Sequence, residues 1–197
     1  MRPAVFLDRD GTLITDQQFR FDPAAIRLRP GARAALRLLQ QHGYTLVVVT
    51  NQSGVARGYF PEEAVRAFHA ALDRRLRTAG LRIAGYFYCP HHPAGTVAAY
   101  RPDCSCRKPR PGLLLQAARA LDLDLGRSWM VGDIAADVLA GQAAGCRTAL
   151  VTRRPGPELR TLSTPPTVVA RHLWAAARRI LGQPLPDPSR RLRVKWR

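Results

Sequence analysis

The stretch AVFLDRDGT, residues 4–12, decides how the rest of the chain is read. Ala4–Leu7 is a short apolar run, the pattern of a buried strand. It ends on Asp8 and Asp10, two carboxylates with one residue between them. In an extended chain, positions i and i+2 point the same way. Two like charges held so close call for a cation between them, and hard oxygen ligands suit magnesium. Gly11 then allows a tight turn. A carboxylate here can attack phosphorus to form an aspartyl-phosphate, and a second can act as general acid and base.

Downstream, strands and helices alternate. A helical face over Gly31–Gln41 stops at Gly43, and Thr45–Val49 is a fully apolar strand. Pro61, Glu62 and Glu63 open a helix that runs to about Ala79. Gly85–Tyr88 reads as a strand, and residues 89–110 as a long loop rich in Pro, Cys and His. A helix over Pro111–Leu121, a strand over Ser128–Val131, a helix over Ala135–Ala144 and a strand over Thr148–Val151 follow. That strand is the last clear one; a helix over His172–Leu181 closes the pattern. Such alternation implies an α/β fold, a Rossmann-like parallel sheet with helices on both faces. Ligands bind such sheets beyond the carboxyl ends of the strands. Asp8, Thr50 and Asp133 stand at those ends, and Lys108 follows the long loop.

Three further motifs fit the same chemistry. TNQSG offers the hydroxyls of Thr50 and Ser53, the amides of Asn51 and Gln52, and backbone N–H groups, all suited to phosphate oxygens. RKP holds Lys108, one of only two lysines in the chain, and a point cation stabilises charge on a transferring phosphoryl group. Arg107 beside it can grip phosphate with a planar fork. VGDIAAD places Asp133 at a strand end and Asp137 one helical turn on, where it either orients the site or caps the helix. Each motif alone also fits a polar strand end or a solvated pair of bases. Their shared order is the specific signal.

A second constellation lies in the loop. Cys89, His91, Cys104 and Cys106 supply C-x-H and then C-x-C. Three sulfurs and an imidazole make a closed, structural zinc set. His92 competes with His91 for the fourth place. Cys146 lies apart and reads as a small buried residue.

Composition narrows the rest. The chain has 197 residues, 31 basic and 14 acidic side chains, and a formal net charge of +17. A basic surface attracts anions, from phosphorylated metabolites to nucleic acid. A zinc-containing nucleic-acid binder is thus a competing class, but it leaves Asp8, Asp10 and Asp133 without a purpose. No apolar run approaches the ~18 residues of a membrane span, and the opening residues do not resemble a signal peptide. We expect a cytoplasmic monomer acting on a small phosphorylated metabolite.

FLDRDGT, TNQSG, RKP and VGD, in that order, resemble the haloacid dehalogenase superfamily of phosphohydrolases over residues 4–152. The resemblance implies a nucleophile at Asp8, an acid and base at Asp10, and phosphoryl contacts from Thr50 and Lys108. It also implies magnesium held by Asp8, Asp133 and the backbone carbonyl of Asp10. YCPHHP and CSCRKPRPG narrow the likeness to the branch without a large cap domain, which holds the zinc-bearing heptose bisphosphate and histidinol-phosphate phosphatases. The first of these remove the 7-phosphate of a heptose 1,7-bisphosphate. The likeness adds Arg107 and the segment Asp16, Gln17, Gln18 and Phe19 as sugar-phosphate contacts. Two departures from the branch stand out: Ile134 stands where a lysine is usual, and Asp16–Gln17–Gln18–Phe19 stands where the branch often reads DxGY after the first motif. One domain is expected over residues 1–183, with the zinc loop at 89–109 and a basic tail at 184–197.

Overall fold

The computed structural model describes residues 1–16, 22–153 and 162–184. Six strands form one sheet: β1 (Arg2–Leu7), β2 (Thr45–Asn51), β3 (Gly85–Cys89), β4 (Leu123–Gly132), β5 (Arg147–Val151) and β6 (Val168–Ala170). Their order is β3-β2-β1-β4-β5-β6, and every neighbouring pair is parallel. Among the described residues, four α-helices lie between successive strands, α1 (Ala32–Gln41), α2 (Glu62–Arg77), α3 (Gly112–Leu121) and α4 (Ala135–Ala143), and α5 (Leu173–Ile180) follows β6.

The central stretches of β1, β2, β4 and β5 are buried and largely apolar because both faces of the sheet are covered. Along β1, Val5 and Leu7 join a core built with α1, α2 and α5, while Ala4 and Phe6 join the opposite core with α3 and α4. This period of two on a strand with no polar face is what the run AVFL encodes. Helix ends follow local chemistry. Gly43, at φ +79°, turns the chain after α1. Helix α2 carries Glu62 and Glu63 in its first turn and Arg74, Arg75 and Arg77 in its last, matching the helix dipole.

Two expectations need correction. The strand expected at Ser128–Val131 begins at Leu123, with a register irregularity opposite Pro3–Val5. Gly126 and charged neighbours hide that first half from a pattern search. Strand β6 was not expected at all; Thr148–Val151 is not the last strand. With only three residues after a proline pair, β6 is too short to show alternation, and it forms because β5 offers an open edge. Among the described residues, no helix is long and apolar enough to cross a membrane.

The topology fixes where the site must be. From β1 the chain moves outward to β2 and β3, then returns to the other side of β1 as β4. The carboxyl ends of β1 and β4 therefore border the crevice at the switch point.

Candidate active site

Asp8 is the first residue beyond β1, and its amide donates to the Val131 carbonyl of β4 at 2.8 Å. Lys108, only 3% exposed, reaches it from the end of the long loop. The Lys108 ammonium donates to Asp8 Oδ1 at 2.6 Å and to the Val49 carbonyl at 3.0 Å, and pairs with Asp137 Oδ1 at 2.6 Å. Asn51 clasps the Lys108 backbone: its Nδ2 donates to the Lys108 carbonyl at 3.0 Å, and its Oδ1 accepts the Lys108 amide at 3.1 Å. The lysine is thus fixed at both its backbone and its charge.

Asp137 performs two tasks with its two oxygens. Oδ2 accepts the amides of Asp133 and Ile134 at 3.1 and 3.2 Å, closing the first turn of α4. Oδ1 faces Lys108. Both alternatives read from the sequence, cap and orienter, describe the same side chain. A Cβ at Gly132 would overlap this carboxylate, and one at Gly11 would overlap that of Asp133. At Gly11 the φ of +81° adds a conformational requirement for glycine.

Asp8 and Asp10 do not point together. Strand β1 ends at Leu7, so alternation does not carry through to Asp10. The Asp10 carboxylate is taken instead by Arg9, whose Nε and Nη2 donate to Oδ2 at 3.1 and 2.8 Å, and by Gln52 Nε2 at 2.9 Å. Gln52 also donates to the buried Thr50 hydroxyl at 2.8 Å. The carboxylates that do gather are Asp8, Asp133 and Asp137, with one oxygen each within 4.8 Å of the others. Burial, followed by Asp137, pushes the Asp133 carboxyl up to about 6, against a Thr12 hydroxyl that donates to it at 3.2 Å. Burial raises Asp8 as well; Lys108 opposes that, and the neighbouring Asp137, Asp133 and Asp10 add to it. For Lys108, burial works against the charge but Asp137 and Asp8 outweigh it, so its pKa lies above the usual lysine range.

Burial leads the Asp8 and Asp133 shifts, and the neighbouring carboxylates add to it. Four carboxylates, Asp8, Asp10, Asp133 and Asp137, meet two buried cations, Lys108 and Arg9. Two negative charges are left over in a desolvated crevice, which fits a divalent cation held by oxygen.

Arg107 lies next to Lys108 and donates to the His91 carbonyl at 3.2 Å. Ser53 and Asp16 lie on the loops after β2 and β1, half-buried and exposed respectively. Gln17, Gln18 and Phe19 lie outside the described residues. Ile134 is 50% exposed at the start of α4. A cavity of about 520 Å³ opens beside Gly11 and Asp133 and is lined further by Arg29, Val151, Thr152 and Arg153. Sequence reasoning passed over Arg9, Thr12 and His69. Arg9 and His69 are buried, and a charged or titratable residue inside an apolar helix stripe was the available signal for His69.

The second cluster stands at the end of β3. Cys89, His91, Cys104 and Cys106 bring their ligand atoms together. The sulfurs of Cys89 and Cys104 are 3.6 Å apart and those of Cys104 and Cys106 3.2 Å apart, while His91 Nδ1 lies 3.5 Å from Cys106 Sγ and 3.7 Å from Cys89 Sγ. A tetrahedral ion with metal–sulfur bonds near 2.3 Å needs sulfur–sulfur edges of about 3.8 Å, close to what the thiols adopt. His92 is engaged elsewhere: its Nε2 meets Arg57 at 3.2 Å and its Nδ1 accepts the Ala94 amide at 3.1 Å. A hydrogen bond from Cys89 pulls Cys106 down to about 5, and the same bond raises Cys89.

A doubly covered parallel sheet with a carboxylate at the end of its first strand, a buried lysine beside it and further carboxylates at the end of the fourth defines a HAD-like phosphatase. Residues 105–176 match the HAD-hydrolase-like family. The chain is 46% identical over 144 residues to a D-glycero-beta-D-manno-heptose-1,7-bisphosphate 7-phosphatase of Rhodopseudomonas palustris, covering 73% of this chain and 80% of the relative. A protein of the same name from Vibrio cholerae is 42% identical over 152 residues, 77% of this chain and 82% of the relative. Among solved structures, the D,D-heptose 1,7-bisphosphate phosphatase of B. bronchiseptica, complexed with magnesium and phosphate, superposes with a TM-score of 0.78 at 35% identity, covering 91% of this chain and 98% of that one. The chain belongs to the D-glycero-beta-D-manno-heptose-1,7-bisphosphate 7-phosphatase family.

Proposed function

We propose that this phosphatase removes the 7-phosphate of D-glycero-D-manno-heptose 1,7-bisphosphate by way of a phosphoryl group carried on Asp8. The observation that carries the reading is the fixed pair of Asp8 and Lys108, 2.6 Å apart and buried at the switch point. Lys108 fixes Asp8 through Oδ1 and favours its ionised form against the burial that disfavours it, leaving Oδ2 to attack phosphorus. The P–O bond to the sugar breaks, and Asp10 delivers a proton to the departing alkoxide. In the second half Asp10 takes a proton from water, whose oxygen attacks phosphorus; the P–O bond to Asp8 breaks, freeing its carboxylate and releasing inorganic phosphate. Thr50, Asn51 and Ser53 offer donors to the phosphoryl oxygens, Gln52 spends its side-chain donors on Asp10 and Thr50 instead, and Lys108 neutralises the phosphoryl charge in the transition state.

Asp8, Asp133 and the Asp10 carbonyl are the groups that would hold magnesium, with Asp137 supporting from behind. Bound there, magnesium supplies charge neutralisation of the phosphoryl oxygens and lets two anions approach. Cys89, His91, Cys104 and Cys106 would hold zinc as a structural clip, since three thiolates and an imidazole suit that ion and leave no open position. Asp16, Gln17, Gln18, Phe19 and Arg107 are the proposed contacts to the rest of the sugar phosphate. The same reading takes residues 1–183 as one domain, supported by the packing of α5 on α1 and β6, and residues 184–197 as a basic tail. It also places the enzyme in the cytoplasm as a monomer.

The experiment is a comparison of kcat/KM across heptose bisphosphate, histidinol phosphate and fructose bisphosphate. The heptose compound is expected to lead clearly. Preference for histidinol phosphate, the substrate of the related branch, would transfer the assignment there while leaving the phosphatase chemistry intact.

A further inference from the structure

We infer that His69 is a positioning residue for the reaction, acting through Arg9 to set the orientation of the Asp10 carboxylate. The inference rests on the reading of Asp10 as the proton donor. It begins with a side chain that the reaction itself does not touch. His69 lies on the inner stripe of α2 with Val65, Phe68, Leu72 and Leu76, and is 5% exposed. A titratable ring is costly in such a stripe unless it is bonded.

The bond is to Arg9. His69 Nε2 meets Arg9 Nη1 at 3.0 Å. A guanidinium only donates, so Nε2 must be the unprotonated nitrogen and the ring must be neutral. Burial, followed by the Arg9 charge, holds the ring pKa down to about 3, so this acceptor stays constant across the working pH range. The groups around it keep it still. Tyr86 stacks on the ring at 5.0 Å, and Tyr88 meets its edge at 5.6 Å, both from β3.

Arg9 is fixed in turn. It is 2% exposed, and its guanidinium lies 4.6 Å from the Phe68 ring centroid. With Nη1 committed to His69, its Nε and Nη2 remain for Asp10, and both fall on Oδ2. Gln52 adds a third donor to the same oxygen. That leaves Asp10 Oδ1 as the oxygen to carry the proton. His69 thus sets the plane of Arg9, and Arg9 sets the carboxyl. Neither residue is among those proposed to hold the phosphoryl group.

A misplaced proton donor harms only reactions that need one. Alkyl phosphates have a poor leaving group and need protonation, whereas 4-nitrophenyl phosphate departs as a stable anion. The test compares kcat/KM for an alkyl and an aryl phosphate in wild type, His69→Phe, His69→Gln and Asp10→Asn, with thermal unfolding of each. His69→Phe keeps the ring stacking and loses the acceptor; His69→Gln restores an acceptor. General acid–base catalysis is worth roughly 10² to 10⁴, so a misaligned donor should cost His69→Phe about 10-fold on the alkyl ester and under about 2-fold on the aryl ester. His69→Gln should recover most of the difference. Equal losses on both esters in His69→Phe, with the selective loss kept in Asp10→Asn, would overturn the positioning role alone. No selective loss in Asp10→Asn would overturn the reading of Asp10 and this inference with it. Should His69→Phe fail to fold, Arg9→Lys breaks the same relay and must give the same selective loss, or the inference falls.

Discussion

Lys108 is the residue on which most of the site converges. Asp8, Asp137 and the Val49 carbonyl enclose a compact ammonium at 2.6 to 3.0 Å. A guanidinium is planar and longer and cannot fill the same space. We therefore expect Lys108→Ala to lower kcat by about 3 kcal/mol, roughly 10²-fold, by analogy with deletion of one preorganised charge contact. Lys108→Arg should not restore it. Steady-state kinetics on purified variants checks both: near-normal turnover by Lys108→Ala would remove Lys108 from the transition state, and near-normal turnover by Lys108→Arg would overturn the requirement for a compact ammonium. The lysine was visible in the sequence because only two occur among many arginines. Its partners were not. Asp10 sits two residues after Asp8, yet the strand ends between them and its side chain goes to Arg9 and Gln52. Spacing reveals a shared face only while the backbone stays extended.

The loop between β3 and α3 shows the same limit and the same strength at the scale of elements. The gathering of its cysteines and histidine was legible, since C-x-H and C-x-C need few assumptions about backbone. The choice of His91 over His92 was not, because it depends on Arg57 and the Ala94 amide occupying His92. Glu62 ties this loop to α2 by accepting the hydroxyls of Tyr88 and Tyr100 at 2.6 and 2.8 Å. Lys108 lies two residues beyond Cys106, so a clip at Cys106 would also fix where the lysine starts. Cys106→Ser is expected to lower zinc content and to lower Tm by about 5 °C, equivalent to about 2 kcal/mol in a domain of this size. Metal analysis with thermal unfolding measures both, and an unchanged Tm in protein that has lost its zinc would deny the clip. Strand β6 was missed for a different reason: three residues carry no period, and only the edge of β5 makes them a strand.

For the whole molecule, the doubly covered sheet was legible because apolar runs and helical stripes alternate from β1 to α4. The same sheet brings residues from four separate segments to one crevice, where their summed charge calls for a divalent cation. Away from that crevice the molecule is strongly basic, with a net charge of +17, which favours approach of anionic substrates. Ile134 is the local exception, an exposed apolar side chain at the crevice edge. Ile134→Lys should lower KM for a bisphosphate several-fold, on the order of 1 kcal/mol for one partly solvated charge contact, and leave KM for a monophosphate nearly unchanged. Equal effects on both would place the remote phosphate elsewhere. The central claim is that Asp8 attacks phosphorus, and turnover by Asp8→Asn tests it most directly. An amide is nearly the same shape, so the protein should fold, but it cannot form the phosphoryl intermediate. With magnesium saturating, phosphate release from heptose bisphosphate should fall to background, whereas release near the wild-type rate would contradict the mechanism.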